Sequence, residues 1–480
     1  MSLQVKAISG FFWTFSQQFS IQLINFIVSI ILARILLPQE FGLIGMIAFF
    51  IGIGNVLVDS GLASSLIRTP NPDQKDYSTV FFINLTGSLL IYLILFLAAP
   101  AISIFFNQPI LTSIIRVYSL TFVITAFQSV QIARLSKEMN FKKQLTIQVP
   151  SLIAGGILGI VLAYLGWGVW SLIWMNVCQN FLVSVMAWFG TGWRPDFFFD
   201  KKKFKYHFNF GYKLTLSALI GTIYQNLYNL IIGKFFSAAQ LGFYTRANSM
   251  RQLPIQNIGS ALNKVTYPMF AAIHNDNVKL KLAYKKLMQQ VMFWIAPTLI
   301  ALTVVAEPLF RFLLTDKWLP AVPYFKILCM ASLLYPVHAY NLNVLLVKGR
   351  SDLSLKIDIA KQIFIVAGIF CSLPFGIYGL LYFQVISTVI SFFINGIYTG
   401  RMIGYSSWEQ LKDIFPILLF AFFVGLLSWF LDQLLIQYFY LSDLWRIIAG
   451  GVFYFSVYWA ISYFAKSPAL TDFRQIILKR

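Results

Sequence analysis

NFGYKLTLSALIGTIYQNLYNLIIGKFFSAAQLGFYTRANSMRQLPIQNIGSALNKVTYPMFAAIHND (209–276) decides how the chain is read. It holds two long apolar runs joined by a short turn at 237–240. Each run is longer than the ~20 residues a helix needs to cross a bilayer. Each also carries more polar side chains than a lipid-facing helix should. At ~100° per residue, Thr215, Thr222, Gln225, Asn226 and Asn229 fall on one stripe of the first helix. In the second, Arg246, Ser249, Gln252, Gln256, Asn257, Ser260, Asn263 and Lys264 share a broad stripe. Arg251 and Asn248 lie off it, although Pro254 can kink the helix and move them. A cation at the bilayer centre costs about 3 kcal/mol on insertion scales, so such residues face a water-filled cavity or a partner. Two readings follow. The polar groups glue helix to helix, or they line a hydrated cavity for a polar, anionic cargo.

Composition sets the class. Of 480 residues, 58% are hydrophobic and 11% charged, and the mean hydropathy is +0.73. Such a chain is an all-α polytopic membrane protein. Apolar runs recur from end to end and predict about fourteen spans. The net charge of +20 is not spread evenly. Basic residues crowd alternate loops, as in Arg134, Lys137, Lys142 and Lys143, or Lys279, Lys281, Lys285 and Lys286. The intervening turns hold only Lys317. This is the positive-inside pattern, with both termini cytoplasmic. It argues against nucleic acid as the partner of the positive charge. Cys178, Cys329 and Cys371 fall in different spans and form neither metal spacing nor a disulfide framework, so all three are expected to be buried and apolar. No metal or cofactor is implied. The opening MSLQVKAISG leads into a polar-striped helix and is read as part of an uncleaved first span.

The first helix carries Gln18, Gln22, Asn25 and Ser29 on one stripe. The second carries Asn55 and Asp59 one turn apart, with Gly52 on the same side. Asp59 either pairs with a basic residue or binds a coupling proton or cation. Glu307 with Arg311, and Asp358 with Lys361, stand at pairing distance along their helices. His274 and His338 are read as hydrogen-bonded structural histidines.

An internal repeat appears at a spacing of about 200 residues. ILARILLPQEFGL (31–43) lines up with LIIGKFFSAAQLGF (230–243), so Arg34 meets Lys234 and Gly42 meets Gly242. GWGVWSL (166–172) is echoed by PFGIYGL (374–380). The expected organisation is two pseudo-symmetric six-helix bundles, 1–190 and 209–403, plus two extra helices and a tail at 404–480. The linker at 191–208 contains RPDFFFDKKKFKYHF (194–208), five basic residues among aromatics, and is read as lying on anionic membrane lipids. The sequence lacks a phosphate-cradling GxxxxGKS/T loop, an HExxH and a large aqueous loop, so no enzyme is implied.

LPQEFGLIGM (37–46), DSGLASSLIR (59–68), ARLSKEMNFKK (133–143), GWGVWSL (166–172), the stretch 209–254 and KGRSDLSLK (348–356) together carry a resemblance. The chain resembles oligosaccharide flippases of the multidrug/oligosaccharidyl-lipid/polysaccharide (MOP) exporter superfamily, of the Wzx-type and colanic-acid- or teichuronic-acid-exporter-like branch. The resemblance implies a two-bundle alternating-access carrier in the bacterial inner membrane. Its implied cargo is an undecaprenyl-diphosphate-linked oligosaccharide, with a polysaccharide polymerase and chain-length proteins as further candidate partners. The matching motif residues are Gly242, Tyr244, Arg246, Ala247 and Pro254, while Phe243 and Thr245 stand where tyrosine and serine are expected.

The expected cargo-binding set is therefore Arg246, Lys264, Arg251, Asn25, Gln22, Asn226, Asn229, Gln225, Asn257 and Gln256, with Asp59 and Asn55 as ion-coupling candidates. Amides offer donors and acceptors to sugar hydroxyls, and arginine matches phosphate bidentately. The alternative for Arg246 is a carboxylate partner at the bundle interface. Rival functions are a multidrug or organic-cation exporter of the same fold, whose cavity would be rich in carboxylates, and a polysaccharide polymerase or ligase, which would need a long periplasmic loop.

Overall fold

The computed structural model describes the backbone of residues 3–59 and 61–472, and the side chains of 13–59, 61–255 and 266–472. Among the described residues every regular element is helical. The first unit, Met1–Gly242, contains α1 (Leu3–Ile35), α2 (Pro38–Asp59), α3 (Leu62–Arg68), α4 (Gln74–Phe106), α5 (Leu111–Tyr118), α6 (Leu120–Lys137), α7 (Phe141–Tyr164), α8 (Val169–Thr191) and α9 (Lys201–Phe235). α10 (Ala238–Ala272) starts in it. The second unit, Phe243–Arg480, continues α10 and adds α11 (Asn277–Val304), α12 (Ala306–Leu314), α13 (Ala321–Ser332), α14 (Tyr335–Val347), α15 (Ser351–Ser372), α16 (Gly376–Ile403), α17 (Ser407–Phe439) and α18 (Asp443–Phe464).

Eleven stretches of the described residues are long and apolar enough to cross a bilayer. One of them, Ser351–Ile403, holds both α15 and α16. α9 and α10 have 35 residues each but are too polar to join the set. The protein is a multi-pass membrane protein.

Several helix boundaries follow from capping chemistry that apolar runs do not reveal. The Asp200 carboxylate accepts from the Lys202 and Lys203 backbone N–H groups at 2.7 and 3.2 Å. It therefore starts α9 at Lys201, and half of the basic linker is helical. The sequence predicts one continuous second span over 41–67, but the helix breaks before α3, at Gly61, whose φ of +62° is a left-handed conformation that suits glycine. At the turn into α10, Ser237 Oγ accepts from Gln240 N–H at 3.2 Å, and the Gln240 side chain accepts from Ser237 N–H at 3.1 Å. The repeat partner shares half of this device, because Leu37 N–H donates to Glu40 at 2.7 Å.

The first unit packs α7 between α1 and α8, and sets α9 against α2, α3 and α4. Phe81, Trp193, Leu62, Leu66, Val80, Val130 and Ala133 form one of its cores. In the second unit α11 runs along α17, and Trp318, Tyr284, Tyr405, Tyr454 and Tyr458 are fully buried. α17 and α18 are fastened by a buried bidentate pair, with Arg446 donating to both Asp432 oxygens at 2.9 and 2.8 Å. The pairs Glu307–Arg311 and Asp358–Lys361 form at 2.9 and 2.8 Å. Cys329 is buried and Cys178 half-buried, but Cys371 is exposed on α15, against the expectation. A thiol is apolar enough for a lipid-facing position, so a span does not need to bury it.

Candidate functional site

Residues 209–242 form one side of a long antiparallel seam that α2 makes with α9 and the start of α10. Small residues bring the backbones together at four levels. A Cβ on Gly42 would overlap the Ala238 carbonyl, and one on Gly242 would overlap the Pro38 carbonyl. Pro38 and Ala238 are themselves repeat partners, so this contact is self-complementary in the way a two-fold contact is. Below it, a Cβ on Gly233 would stand 2.9 Å from Met46 Cγ. At mid-seam a Cβ on Gly52 would meet Thr222 Cγ2 at 3.0 Å and Asn226 Nδ2 at 3.3 Å. At the far end a Cβ on Gly61 would meet the Gly211 backbone at 2.7 Å. Gly42 to Gly61 is nineteen residues of helix and turn, ~28 Å at helical rise, close to the ~30 Å of bilayer hydrocarbon.

The polar stripe of α9 borders this seam. Asn229 Nδ2 points to Asn226 Oδ1 at 3.4 Å, and Asn226 Nδ2 donates to the Thr222 carbonyl at 3.0 Å. Gln225 is exposed beside them, and Asn55 and Asp59 are exposed on α2. Asp59 has no ion-pair or hydrogen-bond partner among the described residues, so the structural pairing considered for it is not made there. On α1, Asn25 is exposed and Gln22 half-buried. The neighbouring Gln17, not singled out from sequence, donates to Gln148 of α7 at 2.8 Å.

The lower end of the seam closes on a polar cluster that sequence reading missed. Lys203 donates to Asp73 at 2.6 Å and to Asp76 at 2.8 Å. His207, with no exposed surface, lies between Asp76 (Nε2–Oδ1 3.2 Å) and Ser65 (Nδ1–Oγ 2.8 Å). A neutral ring protonated at Nε2 satisfies both, donating to the carboxylate and accepting from the hydroxyl. The hydrogen bond from Lys203 holds the Asp73 carboxyl down at about 2. Burial lowers the His207 pKa, with Asp76 opposing the shift. Ser65, His207 and Asp76 are all buried. A Ser–His–Asp line sealed in this way is structural, since no substrate reaches its hydroxyl.

In the second unit Arg246 is 8% exposed, and its guanidinium lies 5.4 Å over the ring of fully buried Trp318. Arg251 donates to Ser332 Oγ at 2.9 Å and to Asn248 Oδ1 at 2.7 Å, which ties α10 to α13. Tyr244 accepts from Gln384 at 3.2 Å. The side chains of Lys264, Gln256 and Asn257 lie outside the described residues. His274 is exposed, with Nδ1 2.8 Å from the carbonyl of Ala271, and His338 faces Asn395 at 3.4 Å.

The profile of a family described as polysaccharide biosynthesis protein matches residues 31–323, well over half the chain and the whole of the stretch described above. The chain belongs to the polysaccharide biosynthesis protein family. Among similar polysaccharide biosynthesis proteins, the lipopolysaccharide biosynthesis protein WzxC of Escherichia coli is 27% identical over 406 residues, 82% of each chain. The teichuronic acid biosynthesis protein TuaB of Bacillus subtilis is 24% identical over 398 residues, again 82% of each chain. The solved structure of the lipid II flippase MurJ in an inward closed conformation superposes with a TM-score of 0.74, covering 95% of this chain and 99% of that one at 13% identity. This family member therefore has the MurJ-like all-helical transporter fold.

Proposed function

We propose that the chain is a flippase that moves an undecaprenyl-diphosphate-linked oligosaccharide from the cytoplasmic to the periplasmic leaflet of the bacterial inner membrane by alternating access. It supplies surface polysaccharide synthesis and is a carrier, not an enzyme. The observation that carries the reading is the family match over 31–323, laid on helices α9 and α10, which are long enough to span yet amide-rich in sequence. The arrangement has fourteen spans, both termini cytoplasmic, and six-helix halves at 1–190 and 209–403. Gln22, Asn25, Gln225, Asn226 and Asn229 offer amides to sugar hydroxyls, joined by Gln256 and Asn257. Arg246 and Lys264, with Arg251 in support, compensate the diphosphate, and Asp59 with Asn55 takes the coupling cation. An excess of cations over carboxylates in this set favours an anionic cargo over an organic cation.

Deleting the gene tests the reading. Undecaprenyl-linked repeat units should accumulate facing the cytoplasm, and the intact chain should clear them. Normal surface polysaccharide in the deletion strain, with no accumulation, overturns it.

A further inference from the structure

A second site lies far along the chain from these residues. A cavity of about 300 Å³ opens between α11, α13 and α17. Ile300, Val304, Met330, Phe422 and Trp429 contribute its apolar walls, and Lys326 is the one charge on its lining. Thr303, the other polar residue there, turns its hydroxyl back to the Ile300 carbonyl at 2.7 Å. Phe422 to Trp429 is two turns of α17, so the cavity is a slot ~10 Å long, parallel to the helices. Apolar cavities do not hold water well. This one lies in membrane-spanning helices, with Leu426 and Trp429 largely exposed beside it, so hydrocarbon from the surrounding lipid is the natural filling.

The ends of the slot differ. α11 passes through α12 into α13, which puts Val304 and Lys326 toward the same end. Arg311 of α12 meets Asp443 at the start of α18 at 3.5 Å, which puts the later part of α17, with Trp429, there too. Lys326 is five residues inside α13, ~7 Å from its start. Lysine and tryptophan at one end of an apolar slot mark the headgroup level of a bilayer. Lys326 has no hydrogen-bond or ion-pair partner among the described residues. The carboxylates at that end are engaged elsewhere. Arg311 holds Glu307, Asp316 and Asp443, and Arg446 holds Asp432. Among the described residues no carboxylate at that end is left for Lys326, which leaves room for an anion from outside the chain.

We propose that this slot is the site of a resident anionic phospholipid, one acyl chain lying between α11, α13 and α17 and the phosphate on Lys326. An ammonium binds phosphate as a point charge with three donors. The proposal is independent of the flippase reading, since loss of the lipid and loss of export are separate readouts.

Native mass spectrometry of the full chain released from nanodiscs tests it, using phosphatidylglycerol and phosphatidylcholine of matched chains. The native chain should retain phosphatidylglycerol preferentially. Lys326→Met should cut that preference about tenfold, the loss of one charge-assisted contact. Lys326→Arg should keep it, and Met330→Trp, which fills the slot, should lower retention of both lipids. Equal retention of the two lipids by the native chain overturns the proposal, as does an unchanged preference in Lys326→Met. If Lys326→Met does not fold, loss of the preference in Lys326→Arg or undiminished retention in Met330→Trp overturns it. Displacement by millimolar inorganic phosphate would make this a free-anion site, and displacement by undecaprenyl phosphate far more readily than by phosphatidylglycerol would give the slot to the cargo. Either result overturns the assignment.

Discussion

Arg246 is the residue on which the cargo reading depends most. A diphosphate crossing ~30 Å of hydrocarbon needs compensating charge, and Arg246 is a buried cation that lies over the Trp318 ring. Arg246→Ala should remove a phosphate contact worth roughly 1.5–3 kcal/mol net, weakening cargo binding about ten- to a hundredfold. It should also remove the cation–π contact, about 0.5–2 kcal/mol, so export and folded amount must be measured together. Arg246→Lys should retain part of the export. Wild-type export in Arg246→Ala would move the diphosphate elsewhere. Asp59→Asn should abolish coupled export at normal protein level if Asp59 takes a cation, and wild-type export in that variant would remove Asp59 from the mechanism. Both residues were legible in the sequence because a charge inside an apolar run is conspicuous. His207 was not. Its partners Ser65 and Asp76 are 142 and 131 residues away, and nothing in the local pattern around His207 points to them.

The α2–α9 seam is the element whose integrity the fold depends on. Backbone stands where a Cβ on Gly42 would go, and backbone, unlike a side chain, does not step aside. Gly42→Ala should therefore cost at least the ~1–3 kcal/mol of ordinary overpacking and lower the melting temperature by a few degrees or more. Gly87→Ala on α4, where a Cβ meets nothing within 4 Å, should not. At the seam's other end, Ser65→Ala leaves buried His207 Nδ1 without its donor, a loss of ~1–3 kcal/mol. The pH dependence has a definite sign. The folded pKa of His207 lies below the ordinary 6.5, so the unfolded state takes up the proton first. The contact is fully present above that value and weakens as pH falls below it. Asp73 adds a separate window, lost as pH falls from its ordinary 3.8 to about 2. Melting curves of the native chain between pH 5 and 8 should show the His207 loss, and His207→Gln should flatten it. The glycines of the seam were visible in the sequence, and Gly42 and Gly242 were aligned by the repeat. Their contact was not, because a repeat shows that two positions correspond, not that they touch. The break at Gly61 and the early start of α9 were hidden for another reason. A left-handed residue and an aspartate cap leave no trace in hydropathy.

At the scale of the whole molecule, charge placement makes the strongest claim. Alternate loops carry the basic residues, and the positive-inside rule assigns those loops to the cytoplasm. α9 and α10 make the claim testable, because they are too polar to be counted as spans by apolarity. If both cross the membrane, Lys201, Lys202 and Lys203 lie on the cytoplasmic side and the turn at 237–240 on the periplasmic side. Single cysteines placed at Lys202 and at Ala239, in a chain freed of Cys178, Cys329 and Cys371, separate the two cases. A membrane-impermeant maleimide added to intact spheroplasts should label the Ala239→Cys variant and reach Lys202→Cys only after permeabilisation. Ala239 is suited to the test because the turn's own hydrogen bonds run through Ser237 and Gln240, which the substitution leaves in place. Labelling of both positions from outside would mean that α9 does not cross. The amide stripe of Asn226 and Asn229 would then lie outside the membrane, and the cargo path would have to be sought on other helices.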